Sequence, residues 1–424
     1  MEFIGFGKTF NIQHSTNSLW QPLLVILTLA LAVGLRFSPK LRGYQFTAWI
    51  IAVVALGMIY PQVLQLPRTL HIADTDLKDK WAMLIMIQLV MFGMGTQMKL
   101  HDFVEVAKQP QAVLIGVLGQ FTIMPLVGYG LTRVFHFENP EIAAGIILVG
   151  SCSAGLASNV MAYIAKANLA LSIAMTSVTT VLAPIMTPLW MKLLAGELVE
   201  VKPFGMMMEI IKMVIVPIGA ALLHDYLSRA STRGRRGVFG LAAVSVGWLM
   251  FLSFGGWTWM KGQVAADVLP WIGAGGFCLG AVVVGLVYHY AVKSLPRLEK
   301  IMPMLAMVGI VYVTLVTTAA GRDNLLKVGG ALFAAAALHN LLGYVFAFYL
   351  ARACKMDEAS CRTVAFEVGL QNGGMASGIA SSLGKLGTMG LAAAIFIPWM
   401  NISGSVLANY WAKRTGAKVG TSIK

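Results

Sequence analysis

The sequence predicts an all-α polytopic membrane protein with about 13 transmembrane helices of roughly 20 residues each. Of its 424 residues, 58% are hydrophobic and only 12% are charged, and the mean hydropathy is +0.75. Soluble domains carry about 25% charged residues. Apolar runs long enough to cross the hydrocarbon recur from end to end, and the gaps between them are too short for a separate soluble domain.

The basic residues support this fold class, because they lie mostly in alternate gaps between the apolar runs. The clusters are Arg36, Lys40 and Arg42; Lys99 and Lys108; Arg229, Arg233, Arg235 and Arg236; Lys293, Arg297 and Lys300; Arg352 and Lys355; and Lys413, Arg414 and Lys418. Cytoplasmic loops of membrane proteins show this pattern. We therefore expect a multi-pass protein of an inner or plasma membrane, with its N-terminus outside and its C-terminus in the cytoplasm. The net charge of +14 is explained by these loops, so we expect no nucleic-acid partner.

The predicted spans follow from the apolar runs in chain order. They are 19–36, 45–62, 81–98, 111–134, 142–165, 169–194, 204–224, 238–257, 266–292, 301–319, 328–352, 359–383 and 388–412. One span more or fewer would break the alternation of the basic gaps. The first run is interpreted as a retained helix, because its positive charges follow it, whereas those of a signal peptide precede the apolar region.

Two matched regions predict an inverted repeat. LGQFTIMPLVGYGLTR (118–133) is similar to AALHNLLGYVFAFYLAR (336–352), and a glycine-rich interrupted helix follows each of them. The interruptions are GSCSAGLASNVMA (150–162) and FEVGLQNGGMASGIA (366–380). Five spans in this order in each half require the halves to have opposite orientations, which is a common construction of transporters.

Glu367, in the second interruption, is the one acidic residue predicted at middle depth in the membrane. A carboxylate there needs a cation or a hydrogen-bond donor. Arg362 lies five residues earlier, which is a poor spacing for a shared helix face. A mobile cation is therefore the favoured partner, although hydroxyl groups that hold Glu367 as a structural acid are an alternative.

The residue types around these interruptions favour sodium, a hard ion that binds to oxygen atoms. Gln371 offers an amide oxygen, and glycine lets the helix unwind and free backbone carbonyls. The first interruption offers Ser158 and Asn159, and the next helix carries Ser172 and Thr176 on one face. One carboxylate among neutral oxygens suits a monovalent ion.

Five segments together resemble the bile acid:sodium symporter family, particularly its bacterial members, over about residues 80–225 and 298–415. They are GLASNVMAYIAKANLALSIAMTSVTTVLAP, GELVEVKPFGMMMEIIKMVIVP, LHNLLGY, EVGLQNGGMA and NISGSVLANYW. The resemblance implies two inverted five-helix repeats, a panel domain and a core domain, and two broken helices that cross in the core. It also implies symport of two sodium ions with a small organic anion, such as a carboxylate or a bile-acid-like molecule.

The resemblance further implies the site residues. The first sodium site would comprise Ser158, Asn159, Ser172, Thr176 and Glu367. The second would comprise Gln120, Glu367, Gln371 and the backbone carbonyls of Val368 and Leu370. The substrate would contact Leu156, Asn372, Met400 and Asn401. Leu156 and Met400 stand where relatives carry threonine and histidine, so we expect a substrate with a larger apolar body than a small hydroxy acid.

The chain has three helices more than the ten of the family. We divide it into an extra N-terminal helix (1–43), the first repeat with the sixth family helix (44–227), an inserted helix pair (228–297) and the rest of the second repeat (298–424). All three added helices adjoin panel helices in sequence. They are expected to pad the panel in the lipid bilayer, or to form a contact between copies of the chain.

A sodium-coupled symporter is therefore the predicted function. A proton-coupled carrier or exchanger that uses Glu367, with or without His339, is the alternative, and a membrane sensor that binds its ligand without transport is a third. An enzyme is not expected, because no nucleophile, base and orienting group form a set. The four cysteines have no metal-binding spacing, so sodium is the sole metal expected.

Overall fold

The structure is a computed structural model that describes residues 20–37, 45–62 and 80–421. Within these ranges the regular structure is helical, apart from one isolated β-bridge between Ala154 and Gln371. The helices are α1 (Trp20–Gly34), α2 (Gln45–Ile59), α3 (Lys80–Gly95), α4 (Asp102–Lys108), α5 (Pro110–Val134), α6 (Pro140–Ser151), α7 (Leu156–Ile164), α8 (Leu169–Ala195), α9 (Pro203–Arg229), α10 (Thr232–Ser253), α11 (Gly256–Gln263), α12 (Leu269–Ser294), α13 (Arg297–Ala320), α14 (Arg322–Ala353), α15 (Glu358–Gly369), α16 (Gly373–Ser382) and α17 (Leu391–Thr421).

Each predicted span coincides with one of these helices or with a pair of half-helices. In the described ranges, nine helical spans are long and apolar enough to cross a membrane, and shorter apolar helices accompany them. The spans predicted at 142–165 and 359–383 are each divided in two, as the glycine-rich interruptions indicated. The all-α polytopic fold class is confirmed, while the count of 13 crossings and the domain boundaries remain predictions.

Four helices form a panel through close contacts of small residues. Helix α13 packs against both α2 and α3, and α9 packs against the other side of α3. A Cβ atom added at Gly93 would lie 2.6 Å from Cβ of Ala306, and one at Gly95 would lie 2.8 Å from Cβ of Ala221. Small residues let membrane helices approach closely, so these glycines set the spacing of the panel.

The helices that are neither in the panel nor added form the core, and α5 and α14 each contact several of them. Helix α5 packs against α6, α8 and α14, and α14 packs against α15 and α17. His339 connects α14 to α5, because its Nε2 atom lies 2.9 Å from the carbonyl oxygen of Met124.

The two broken helices cross in the core through a short antiparallel bridge. The backbone N–H of Gly155 donates to the carbonyl of Leu370 at 3.0 Å, and that of Asn372 donates to the carbonyl of Ser153 at 2.9 Å. Backbone groups that leave helical pairing inside a membrane must find new partners. At this crossing, each break supplies partners for the other.

Two of the three added helices pack on panel helices, and the third packs on one of these two. Helix α1 lies against α2, α12 lies against α9, and α10 lies against α12. Of the predicted N-terminal segment 1–43, residues 1–19 and 38–43 lie outside the described residues. Among the described residues, the core helices pack against the panel, and the added helices make no extensive contact with the core.

Helix α9 contains a π-helical turn at Ile211–Ile215. The N–H of Val216 donates to the carbonyl of Ile211, so it is not available to Lys212. The next N–H position along the chain belongs to Pro217, which has no N–H to donate. Gln88 on α3 replaces these donors, because its Nε2 atom lies 3.2 Å from the carbonyl oxygen of Lys212.

Candidate functional site

Glu367 is fully buried in the last turn of α15, beside the break. Two hydroxyl groups of α8 reach its carboxylate. Ser172 Oγ donates to Oε1 at 2.5 Å, and Thr176 Oγ1 lies 2.8 Å from Oε2. Residues four apart share one face of a helix, so the spacing of Ser172 and Thr176 places both hydroxyls against one carboxylate.

Asn159 and Ser158 on α7 complete this oxygen-rich pocket. The amide oxygen of Asn159 lies 2.7 Å from Ser172 Oγ and 3.3 Å from Thr176 Oγ1. The buried hydroxyl of Ser158 donates to the carbonyl of Gly155 at 2.7 Å and lies close to Glu367. The five residues predicted for the first sodium site therefore lie together.

This pocket has more acceptor oxygens than protons. A hydroxyl group has one proton to donate, yet Ser172 and Thr176 each face both a carboxylate oxygen and the amide oxygen of Asn159. Within the described part of the chain, no basic side chain forms an ion pair with Glu367, and Arg362 pairs with Glu358 at 3.1 Å. A buried carboxylate without a counter-charge is costly, so the pocket suits a cation held by oxygen.

A second group of oxygens lies beside the first, around Gln120 and Gln371. Gln120 Nε2 donates to Gln371 Oε1 and to the carbonyl of Cys152, both at 2.9 Å. Gln371 Nε2 donates to the carbonyl of Val368 at 2.5 Å. The Oε1 atom of Gln120 is buried and has no hydrogen-bond partner, whereas buried polar atoms usually have one. The Oε1 atom of Gln120 is therefore available as a ligand for a second cation.

The carbonyl of Leu370, also predicted for the second site, accepts the N–H of Gly155 at 3.0 Å. A carbonyl oxygen has two lone pairs, so this bond leaves one acceptor position. Helices α6 and α15 both end at the crossing, and α7 and α16 both begin there. Helix C-termini favour cations and N-termini favour anions, so the crossing offers a place for each sign of charge.

The four residues predicted to contact substrate lie at the crossing and on α17. Leu156 begins α7 and is half-buried, and Met400 and Asn401 lie on α17. Asn372 is buried and its Nδ2 atom lies 3.8 Å from Sδ of Met94 on the panel helix α3. Asn401 donates to a carbonyl of its own helix at 2.8 Å. That the four form one binding surface remains a prediction.

Asn340 supports the site, although no role was predicted for it from the sequence. Its Nδ2 atom donates at 2.8 Å to the carbonyl of Gly369, which the break leaves free. The hydroxyl of Ser403 donates to its Oδ1 atom at 2.6 Å. The amide in LHNLLGY was the available signal, but its partner lies 29 residues away in the chain and could not be identified from spacing.

The two halves of the crossing differ in how they are covered. On α16, Cβ atoms at Gly374 and Gly378 would lie 3.2 Å from Met91 and Ile87 of the panel. On α7, Val160 is 53% exposed and Tyr163 is 71% exposed. The panel thus closes the α16 side and leaves side chains of α7 uncovered.

Comparisons with known proteins agree with this architecture. The model of the Sodium Bile acid symporter family matches residues 84–259. The chain is 31% identical over 380 residues to the uncharacterized sodium-dependent transporter YocS of Bacillus subtilis, which covers 89% of this chain and 93% of that protein. It is 26% identical over 369 residues to the probable sodium/metabolite cotransporter BASS1, chloroplastic, of Arabidopsis thaliana, with coverage of 87% and 73%.

A solved structure shows a similar fold at low sequence identity. The sodium proton antiporter MjNhaP1 from Methanocaldococcus jannaschii superposes with a TM-score of 0.53 and 14% identity, and the match covers 93% of this chain and 98% of that chain. The similar fold therefore extends over much of the added helices as well as over the core. With its sodium-dependent relatives and the family match, the chain is a multi-pass membrane protein that belongs to the sodium bile acid symporter family.

Proposed function

We propose that this protein is a secondary-active symporter that couples sodium entry to the uptake of an organic anion. The observation that carries the proposal is the pocket around Glu367, in which a buried carboxylate meets hydroxyl and amide oxygens without a basic partner among the described residues. Its sodium-dependent relatives support the same coupling ion.

The proposal includes two sodium ions. The first binds between Glu367, Ser158, Asn159, Ser172 and Thr176, where its charge compensates the carboxylate. The second binds beside it with Gln120, Gln371 and the carbonyls of the second break, and the unpaired Oε1 atom of Gln120 supports this position. Both ions would hold the two breaks in the crossed arrangement, because their ligands come from both repeats.

The organic anion is proposed to bind on the other side of the crossing, with its carboxylate at the N-terminus of α7. This helix begins after Gly155 without a side-chain cap, so its first N–H groups are available to an anion. Helix α16, in contrast, has its N-terminus capped by Asn372, which accepts the N–H of Met375 at 3.0 Å. Leu156 and Met400 favour an apolar body on this anion.

Alternating access is proposed to arise from movement of the core against the panel. The covered α16 and the exposed Val160 and Tyr163 of α7 support a state that is open at the α7 end. The basic residues Lys108, Lys166 and Arg352 lie near that end of the core helices, which supports a cytoplasmic location for it. We accordingly propose that the C-terminus lies inside and the N-terminus outside an inner or plasma membrane.

The decisive experiment is a thermal-shift screen of organic anions in sodium and in potassium buffer, followed by uptake into proteoliposomes. An anion that stabilises the protein in sodium and not in potassium, and that then accumulates along a sodium gradient, is the expected result. Uptake that is indifferent to sodium and to Glu367→Gln would overturn the proposal.

The alternatives make different predictions in the same assays. A proton-coupled carrier would follow pH without sodium, but the Nε2 atom of His339 contacts the carbonyl of Met124 and no contact in the described residues joins it to Glu367. A sensor would bind the anion without counterflow. Self-association through α1 or α10–α12 would give a dimer in native mass spectrometry, and symport requires no such contact.

A further inference from the structure

A large cavity lies between the inserted helices α10–α12 and the panel helices α3 and α9. Its volume is about 1420 Å³, which exceeds the roughly 300–1,000 Å³ of small-molecule sites. Its wall on α12 extends from Leu269 to Ala291, a length of roughly 33 Å at the helical rise. The hydrocarbon of a membrane is about 30 Å thick, so this insertion cavity extends through the hydrocarbon of both leaflets.

The insertion cavity exists because α12 faces it with small residues. Gly273, Gly276 and Gly280 line the cavity, and a Cβ atom added at Gly280 would meet no other atom within 4 Å. Helices α9 and α12 approach closely near Gly285, where a Cβ atom would lie 2.5 Å from the carbonyl oxygen of Ala220. The walls are mostly apolar, and an apolar cavity does not hold water well.

Two polar atoms in the cavity have no hydrogen-bond partner. Tyr288 is only 7% exposed, it lines the cavity, and its hydroxyl is unpaired. The indole N–H of Trp248, which also lines the cavity, is unpaired as well. Buried donors without acceptors are unfavourable. Trp248 lies beside Gly276, in the half of α12 nearer to α11, and a ligand oxygen there would accept its N–H.

The charges on the cavity wall leave one positive group. Lys212 pairs with Glu209 at 3.2 Å, so these two charges compensate each other. Lys261 on α11 is exposed, lines the cavity and forms no ion pair with any residue that the structure describes. Trp257 lies beside it in the wall, and tryptophan is typical of the membrane interface. The mouth at α11 therefore matches an anionic head group.

We propose that the insertion cavity binds one anionic phospholipid. Its acyl chains would lie between α9 and α12, its phosphate at Lys261, and its ester oxygens within reach of the indole of Trp248. The lipid would then fill the half of the space that adjoins α11, between the inserted helix pair and the panel. This site is separate from the crossing and does not depend on sodium coupling.

Native mass spectrometry of the full chain tests the proposal after reconstitution with phosphatidylglycerol or phosphatidylcholine vesicles and mild extraction. Wild type is expected to retain one phosphatidylglycerol molecule. Gly280→Leu fills the cavity and is expected to lose this lipid. Gly275→Leu is the matched control, because Gly275 lies on the same helix, has open space around it and does not line the cavity.

A charge variant keeps the test valid if Gly280→Leu fails to fold. Lys261→Gln is expected to lower the retention of phosphatidylglycerol relative to phosphatidylcholine by about fivefold, whereas Lys327→Gln, an exposed lysine elsewhere, should leave it unchanged. Equal retention of both lipids by wild type would overturn the proposal. Equal lipid retention by Gly280→Leu and Gly275→Leu would also overturn it. Recovery of the wild-type protein as a dimer without bound lipid would do the same.

Discussion

Gly155 in the first break lies directly against the backbone of Gln371 in the second break. A Cβ atom at position 155 would be 2.8 Å from the carbonyl oxygen of Gln371, which is closer than such atoms approach in proteins. The same glycine donates its N–H to Leu370 across the crossing. The two broken helices are thus held together by backbone atoms at a position that excludes every side chain.

Gly155→Ala is therefore expected to separate the two breaks. We expect a destabilisation of about 1–3 kcal/mol, typical of overpacking, and loss of the sodium-dependent thermal shift. Gly130→Ala is the control, since a Cβ atom there meets nothing within 4 Å, and alanine favours a helix by about 1 kcal/mol over glycine. Equal behaviour of the two variants would contradict this account of the crossing.

Glu367→Gln is expected to abolish sodium-dependent stabilisation and sodium-driven uptake, because it removes the charge that attracts the ion. In sodium-free buffer the variant should unfold at the same or a higher temperature than wild type, since a buried carboxylate without a counter-charge is removed. Thermal unfolding with and without sodium measures both effects. The control Glu200→Gln removes an exposed ion pair with Lys202 and should cost about 1 kcal/mol or less.

The α8 hydroxyls are expected to contribute to sodium affinity. Ser172→Ala or Thr176→Val should weaken it roughly 10- to 100-fold, as expected for the loss of one contact with a charged group. A sodium titration of the thermal shift measures the change. Ser177→Ala is the matched control, because this hydroxyl donates to a carbonyl of its own helix. A similar loss in Ser177→Ala would show that the effect is structural.

Gln120→Leu is expected to remove the second ion and leave the first. Cooperativity cannot exceed the number of sites, so the Hill coefficient of sodium-dependent uptake should fall from above 1 to about 1. Gln111→Leu, on the same helix but exposed, should leave the coefficient unchanged. A coefficient of about 1 in wild type would argue against two coupled ions.

Accessibility of α7 tests the proposed open state. In a background with the exposed cysteines Cys278 and Cys354 changed to serine, Tyr163→Cys should react with an impermeant maleimide in sodium-free buffer. The reaction should slow when sodium and a substrate anion close the site. Ala380→Cys, at a fully buried position of α16, should remain unreactive in the sodium-free state. Rapid labelling of Ala380→Cys alone would indicate the opposite opening.

Much of this architecture was predictable because membrane helices must satisfy their backbone polar groups within one apolar run. The lengths of the runs located the helices, and the glycines beside Glu367 and Asn159 located both breaks. The face shared by Ser172 and Thr176 followed from helical spacing alone. These predictions depend on interactions within a few residues.

Other parts depend on contacts between distant segments, and spacing could not reveal them. The side-chain amide of Asn340 on α14 donates to the carbonyl of Gly369 on α15. The side-chain amide of Gln120 donates to the carbonyl of Cys152 across the core. The insertion cavity was also missed, because its walls come from helices whose apolar residues look alike in sequence. An apolar run shows that a helix meets lipid or protein, but not where two helices separate.

The π turn of α9 makes this helix sensitive to insertions and deletions. A π turn holds one residue more than the α-helical path, and each residue rotates a helix by about 100°. Loss of one residue between Ile211 and Ile215 would remove the extra residue of the π turn and rotate one half of α9 relative to the other. Glu209 would then point in a new direction, and Gln88 would lose the carbonyl that it now binds.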